Sequence, residues 1–186
     1  SSRIDNLIPL LESTAEAGNV LRDRCRDAVA GTVSQGGKID GEALEREQHA
    51  AHGLAWIATY AEALNQVASY ARRMSDEGRF GEMEALLAQI GAAEYAAQLY
   101  GGVVMSQGEI ARTHELGVSE EDQTAFLNAN VRDLISSTTP ATISRRVGST
   151  SPIAGSPTHV DHRCTSPATS EPQPDSTISN PTAPPN

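Results

Sequence analysis

The sequence predicts an all-α fold: an antiparallel bundle of three long helices plus a shorter fourth, followed by a disordered C-terminal tail. Two observations carry this expectation. Apolar residues recur at spacings of three and four from near Arg3 to Ile135, the period of helices that each bury one side. Near Thr138 the composition then breaks from acidic, Ala- and Leu-rich text to Ser, Thr, Pro, Ala, Gly and Asn. The boundaries that follow are residues 3–136 for the bundle and 137–186 for the tail.

The first helix runs from about Arg3 to Val33. Ile4, Leu7, Leu11, Thr14, Gly18, Leu21, Cys25, Ala28 and Thr32 form an unbroken seam, widened by Ile8, as in a helix packed on another helix. Pro9 falls within the first turns, so the true start is read nearer Asn6, which would put the missing N–H close to the helix terminus where it is tolerated. Ser34-Gln35-Gly36-Gly37 ends the helix, glycine being favoured past a C-terminus. Asp40 is a good N-cap for a second helix, with Glu42 facing the positive end of its dipole. That helix reads through to about Glu77 on a face of Leu44, Ala51, Leu54, Ile57, Ala61, Leu64, Val67, Ala71 and Met74. As a single rod it would span about 50 Å.

A third helix starts near Gly81. Met83, Leu86, Leu87, Ile90, Ala93, Ala97 and Tyr100 line one of its faces, and Gly101-Gly102 stops it. Val103 to Leu116 reads as irregular. Ser119 caps a fourth helix with Asp122 in the capping-box position; Phe126, Leu127, Val131, Leu134 and Ile135 are its apolar residues. No stretch alternates well enough to be a strand. Short connections make neighbouring helices antiparallel. With two Phe, one Trp and four Tyr, and Ala at many seam positions, each contact buries little area at about 25 cal/mol per Å². The expected domain is modestly stable and gains from a partner surface.

Residues 140–186 hold nine of the ten prolines and three basic against three acidic residues. Such a segment cannot bury enough apolar area to offset its ordering entropy. It reads either as a low-complexity linker or as out-of-frame translation. The abruptness of the change, without repeats or charge pattern, favours the latter and makes the chain read as a piece of something longer.

The formal net charge of −10 lies in the front part, which repels phosphate backbones and anionic lipid; nucleic acid and membrane surfaces are poor partners. No apolar run approaches the roughly 20 residues needed to span a bilayer. Cys25 and Cys164 make no disulfide framework, so the expected compartment is the cytoplasm.

Several constellations could carry chemistry. His49 and His52 share a helix face with Glu45, a donor set that suits zinc or iron. A di-iron bundle, however, wants Glu three before His on two helices, and the residues at those positions are Arg46 and His49. The alternative is a hydrogen-bonding site with His52 packed near Trp56. His159, His162 and Cys164, with Asp161, have finger-like spacing but no second ligand pair. Cys25 lies on the seam, where burial makes a thiol inert. Tyr60, Tyr70, Tyr95 and Tyr100 read as amphipathic packing residues. Gly101-Gly102 and Gly108 follow a helix, whereas a phosphate-binding loop leads from a strand into one. The residues therefore assign no catalytic, cofactor-binding or metal-binding position.

Three segments carry a family resemblance. They are Glu47-Gln48-His49-Ala50-Ala51-His52-Gly53-Leu54-Ala55-Trp56-Ile57-Ala58-Thr59-Tyr60, then Gly78-Arg79-Phe80-Gly81-Glu82-Met83-Glu84, and Met105-Ser106-Gln107-Gly108-Glu109-Ile110. Together they resemble the N-terminal helical extension of a branch of the acyl-CoA dehydrogenases, over roughly residues 3–135. The resemblance implies a parent enzyme that binds FAD and a CoA thioester. In it a glutamate removes the α-proton while the β-hydride passes to flavin, giving an enoyl-CoA. It places none of that machinery here and transfers no catalytic residue. This chain would be an inactive fragment that docks on the dehydrogenase body, or on another copy of itself, through an Ala-rich helical face. A free-standing helical interaction or dimerisation module is the alternative.

Overall fold

The computed structural model describes residues 3–138. It is all-α in class. Helix α1 spans Arg3–Val33, α2 Gly41–Arg46, α3 Gln48–Asp76, α4 Glu82–Gly101, α5 Glu120–Phe126 and α6 Ala129–Ser136. The expected tail beyond Thr138, with its linker-or-frameshift question and the His159, His162 and Cys164 cluster, lies outside the described residues.

Helices α1, α3 and α4 form the body of the bundle, with α6 packed on α4 and α1 and α5 on α1. Their directions follow from specific pairs. Glu12 meets Arg72 and Asn19 meets Asn65, so α1 and α3 are antiparallel. Tyr60 meets Gln98, and the two lie equally far in sequence from the short turn that joins α3 to α4, so these helices are antiparallel too. The core between them holds Leu11, Leu21, Ile57, Leu64 and Leu99, closed at one side by Val131 and Leu134. Thr14, the one hydroxyl among the largest fully buried side chains, donates to the Leu10 carbonyl at 2.8 Å, so its burial leaves no orphaned donor.

The α1 seam is buried as expected from Leu7 to Cys25. It then slips by one residue: Val29 and Val33 are buried, Ala28 is half-buried and Thr32 is exposed. A straight helix drifts about 20° per heptad against a 3.5-residue repeat. Over three heptads that is about 60°, more than half the roughly 100° between neighbours.

The expected second rod is broken at Glu47, where φ −100° and ψ 24° leave the helical region. Glu45, Arg46, Glu47 and Gln48 are all exposed, so no apolar anchor holds that turn straight. Asp40 does cap α2, its Oδ1 accepting from the Glu42 and Ala43 amides at 2.9 and 3.1 Å. The kink seats Ala43 in the bundle while α3 follows α1. The expected fourth helix is likewise two short ones. Ser119 caps α5, accepting from the Asp122 amide. Asn128 interrupts and caps α6, accepting from Asn130 and Val131 at 2.9 and 3.1 Å.

Two small ladders escape the expectation that no strand exists. β1 (Ser34–Gln35) pairs antiparallel with β2 (Lys38–Ile39) around Gly36 and Gly37, both at positive φ. β3 (Val103–Val104) pairs antiparallel with β4 (Ile110–Ala111) across a 3₁₀ turn at Ser106–Gly108. Two residues per strand are too few for a period-two pattern to register.

The largest departure is the facing of α4. Its buried residues are Ala85, Ala88, Gln89, Ala92, Ala93, Ala96 and Leu99. Of the expected face only Ala93 is buried, while Met83, Leu87 and Tyr100 are 64%, 62% and 50% exposed. α4 is packed on α1, α3 and α6, and so close a fit admits alanines and turns the larger side chains outward. On α4 the alanines thus line the inside of the bundle.

Candidate functional site

The three segments of the family resemblance fall at different places. Residues 47–60 are the kink and first half of α3, 78–84 are the α3–α4 turn, and 105–110 are the tip of the β3–β4 hairpin. The hairpin is seated directly on α3. A Cβ at Gly53 would lie 3.1 Å from Ala111 Cβ and 3.3 Å from Leu116 Cδ1, so glycine is what lets strand and helix meet. Gly102 is constrained more sharply. Its φ of +126° suits glycine, and a Cβ there would stand 2.6 Å from Ile110 Cγ2. The Gly101-Gly102 pair is therefore the reversal that starts the hairpin.

His52 sits where the sequence places it. Its Nε2 accepts from Trp56 Nε1 at 3.0 Å, with the rings edge-on at 6.4 Å between centroids. His49 is exposed, and Glu45 lies on α2 across the break at Glu47. The continuous helix face that a Glu45–His49–His52 metal set requires is not built. Among the described residues no group of three or more His, Cys, Asp or Glu is placed to hold a metal ion.

Cys25 is fully buried, and burial pushes its thiol up to about 12, against a smaller lowering by a backbone hydrogen bond. It is a packing residue. Trp56 leads into an aromatic ladder. Its ring lies 6.5 Å from Tyr60, and Tyr60 stands edge-on to Tyr95 at 5.1 Å. The Tyr60 hydroxyl donates to Gln98 Oε1 at 3.0 Å. Tyr70 lies under the Arg73 guanidinium, 5.9 Å from the ring centre. The Tyr60–Tyr95 and Tyr60–Gln98 contacts join α3 to α4, and Trp56, Tyr60 and Tyr70 on α3 and Tyr95 on α4 all stay partly open to solvent.

A polar groove of about 530 Å³ runs between α1 and α3, lined among others by Glu12, Glu16, Asn19, Asn65, Arg72 and Asp76. Asn19 and Asn65 exchange two amide hydrogen bonds of 3.0 Å. Arg22 donates to Asn19 Oδ1 at 3.0 Å, and Asn65 donates to Glu62 at 3.2 Å. Hydrogen bonds from Gln66 first, then Asn65, hold the Glu62 carboxyl below its usual range. Arg72 is taken up by a two-pronged pair with Glu12 at 2.8 and 2.9 Å. A dinucleotide pyrophosphate would meet Glu12, Glu16, Asp76 and Glu77 there against two arginines, one already paired. The groove does not fit FAD.

Sequence reasoning did not anticipate this network, the hairpin on α3, or the outward side of α4. A glycine inside a helix at Gly53 is a signal that could have pointed to a close backbone approach, but a reading by apolar periodicity passes over it. Among the described residues, no helix is long and apolar enough to cross a membrane.

No protein-family model matches the chain. Among curated proteins, the (2S)-methylsuccinyl-CoA dehydrogenase of Cereibacter sphaeroides is 44% identical over 115 residues. The match covers 62% of this chain and 21% of that protein. Over that stretch the chain resembles an acyl-CoA dehydrogenase, and it spans only about a fifth of the length of the relative it matches.

Proposed function

We propose that residues 3–138 are an accessory helical module of an acyl-CoA-dehydrogenase-like protein, with no catalytic centre of its own. The observation that carries this reading is the 44% identity over 115 residues to a (2S)-methylsuccinyl-CoA dehydrogenase. The parent chemistry would be FAD-dependent oxidation of an acyl-CoA to an enoyl-CoA, performed by a body outside this chain. Flavin, when bound there, would accept the hydride. The described residues would position and cover that body and touch no reacting atom. A cytoplasmic setting suits two cysteines without a framework.

The physical support is consistent with this. Burial leaves Cys25 protonated, the Glu45–His49–His52 face is interrupted, and the α1–α3 groove is acidic and open. None of these offers a poised base or a cradle for a thioester.

The test is direct. The full 186-residue chain, purified and supplied with FAD and (2S)-methylsuccinyl-CoA, is expected to show no flavin absorbance after desalting and no dye reduction. Retained flavin or acyl-CoA-dependent reduction would overturn the non-catalytic reading.

A further inference from the structure

The outer face of the α3–α4 pair is unusual in what it displays. The sequence has seven aromatic residues, and of these only Phe126 is buried. The other six lie on α3, on α4 or in the turn between them, half-buried or exposed. Trp56, Tyr60 and Tyr95 form the linked ladder described above, with Tyr70 farther along α3. Met83 and Leu87 on α4 stand 64% and 62% exposed. Helical spacing places Trp56 and Tyr70 on the flank of α3 nearest α4, and Leu87 on the neighbouring flank of α4. From Trp56 to Tyr70 the strip is about 21 Å long. Aromatic and Met side chains are enriched where proteins meet partners.

Charge and area select the occupant. Helix α4 carries Glu82, Glu84 and Glu94 and no basic residue, and the whole chain is at −10. A second copy seated on this face would bring like carboxylates together within about one Debye length, roughly 8 Å at physiological salt. A strip of this kind also offers a few hundred Å² of apolar surface, below the roughly 800 Å² per side of a free-standing complex. A surface in the same polypeptide needs no such area, because the tether raises its effective concentration to about millimolar. The curated relative has that additional polypeptide, since the match covers 21% of it.

We propose that the outer α3–α4 face, centred on Trp56, Tyr60, Leu87 and Tyr95, is where the bundle seats against the remainder of a longer dehydrogenase-like polypeptide. The complementary surface is apolar at its centre and carries Arg or Lys at its rim, opposite Glu84 and Glu94. The proposal rests on the reading of the preceding section.

The experiment compares thiol labelling in two settings. Leu87→Cys is introduced into the full chain in a Cys164→Ser background, where buried Cys25 does not compete. The same substitution is placed in a chimera whose matched segment of the Cereibacter sphaeroides enzyme is exchanged for the matching residues of this chain. Alkylation by N-ethylmaleimide is followed by mass spectrometry of the peptide containing position 87, with Ser69→Cys, on another side of α3, as control. The expected result is labelling at least tenfold slower in the chimera at position 87 and unchanged at position 69. Equal rates at position 87 in a chimera that keeps the parent's flavin absorbance would overturn the docking face and leave the accessory-module reading standing. A chimera that loses the flavin its parent holds would overturn both. Protection in the free chain that grows with its own concentration would assign the face to a second copy and overturn the occupant named here.

Discussion

Gly91 and Gly53 are both helix-interior glycines, and alanine at each should shift stability in opposite directions. On propensity alone, Gly→Ala in a helix interior gains about 1 kcal/mol. At Gly91 the added methyl meets nothing within 4 Å, so the gain is realised in full. For a bundle of this size that corresponds to a rise of about 3–5 °C in Tm. At Gly53 the methyl would lie 3.1 Å from Ala111 Cβ and 3.3 Å from Leu116 Cδ1, where carbon pairs prefer about 3.5–4.0 Å. Ala111 is fully buried and belongs to the β3–β4 ladder, so it cannot yield without moving the hairpin. Overpacking of this kind costs about 1–3 kcal/mol, which exceeds the propensity gain. The expected net is a loss of about 1 kcal/mol and a Tm lower by a few degrees. Thermal unfolding of the full chain, followed by circular dichroism at 222 nm, reads both variants against the parent. A Gly53→Ala Tm that rises as far as that of Gly91→Ala would mean that the hairpin is not seated on α3.

Three further outcomes follow from the core, a cap and the thiol. Leu99→Ala, at a position 1% exposed, should cost about 2–5 kcal/mol, read as a lower urea midpoint with little change in slope. Asn128→Ala removes the cap that satisfies the Asn130 and Val131 amides and should cost about 1 kcal/mol, with Asn128→Ser recovering most of it. In a Cys164→Ser background, Cys25 should be silent to Ellman's reagent at pH 8 and react once the chain is unfolded in guanidinium. Its thiol is raised from 9.0 to about 12, so the unfolded state releases this proton first. The contribution is whole below pH 9 and lost as pH rises from 9 towards 12. A stability that climbs across that window would contradict the burial of Cys25.

What could be read in the sequence followed from periodicity, and what could not followed from packing partners. The α1 seam is legible as far as Cys25 because a single stripe of α1 is turned to the interior of the bundle over that length. Its slip to Val29 and Val33 comes from helical drift, which a fixed three-four spacing does not represent. The caps at Asp40 and Ser119 are local hydrogen bonds and were readable; the break at Glu47 depends on where Ala43 must seat and was not. α4 defeats the usual inference that large apolar residues point inward, because its three neighbours leave room mainly for alanine, Gln89 and Leu99 being the larger exceptions. In the candidate site, the His52–Trp56 contact is an i, i+4 relation and was visible. The Tyr60–Tyr95 contact and the Asn19–Asn65 pair join residues far apart in sequence, and no local pattern encodes them.

The Asn19–Asn65 exchange has a consequence for which of several similar packings the helices adopt. The apolar residues that α1 and α3 bury recur at spacings of three and four, so the two faces could also meet out of step by a turn, about 5.4 Å. A doubly bonded amide pair fits one alignment only, and a shifted rod would break both bonds and leave each amide to water and the charged side chains of the groove. Two modest hydrogen bonds thereby act as an index mark, much as a single polar residue fixes the alignment of a coiled coil.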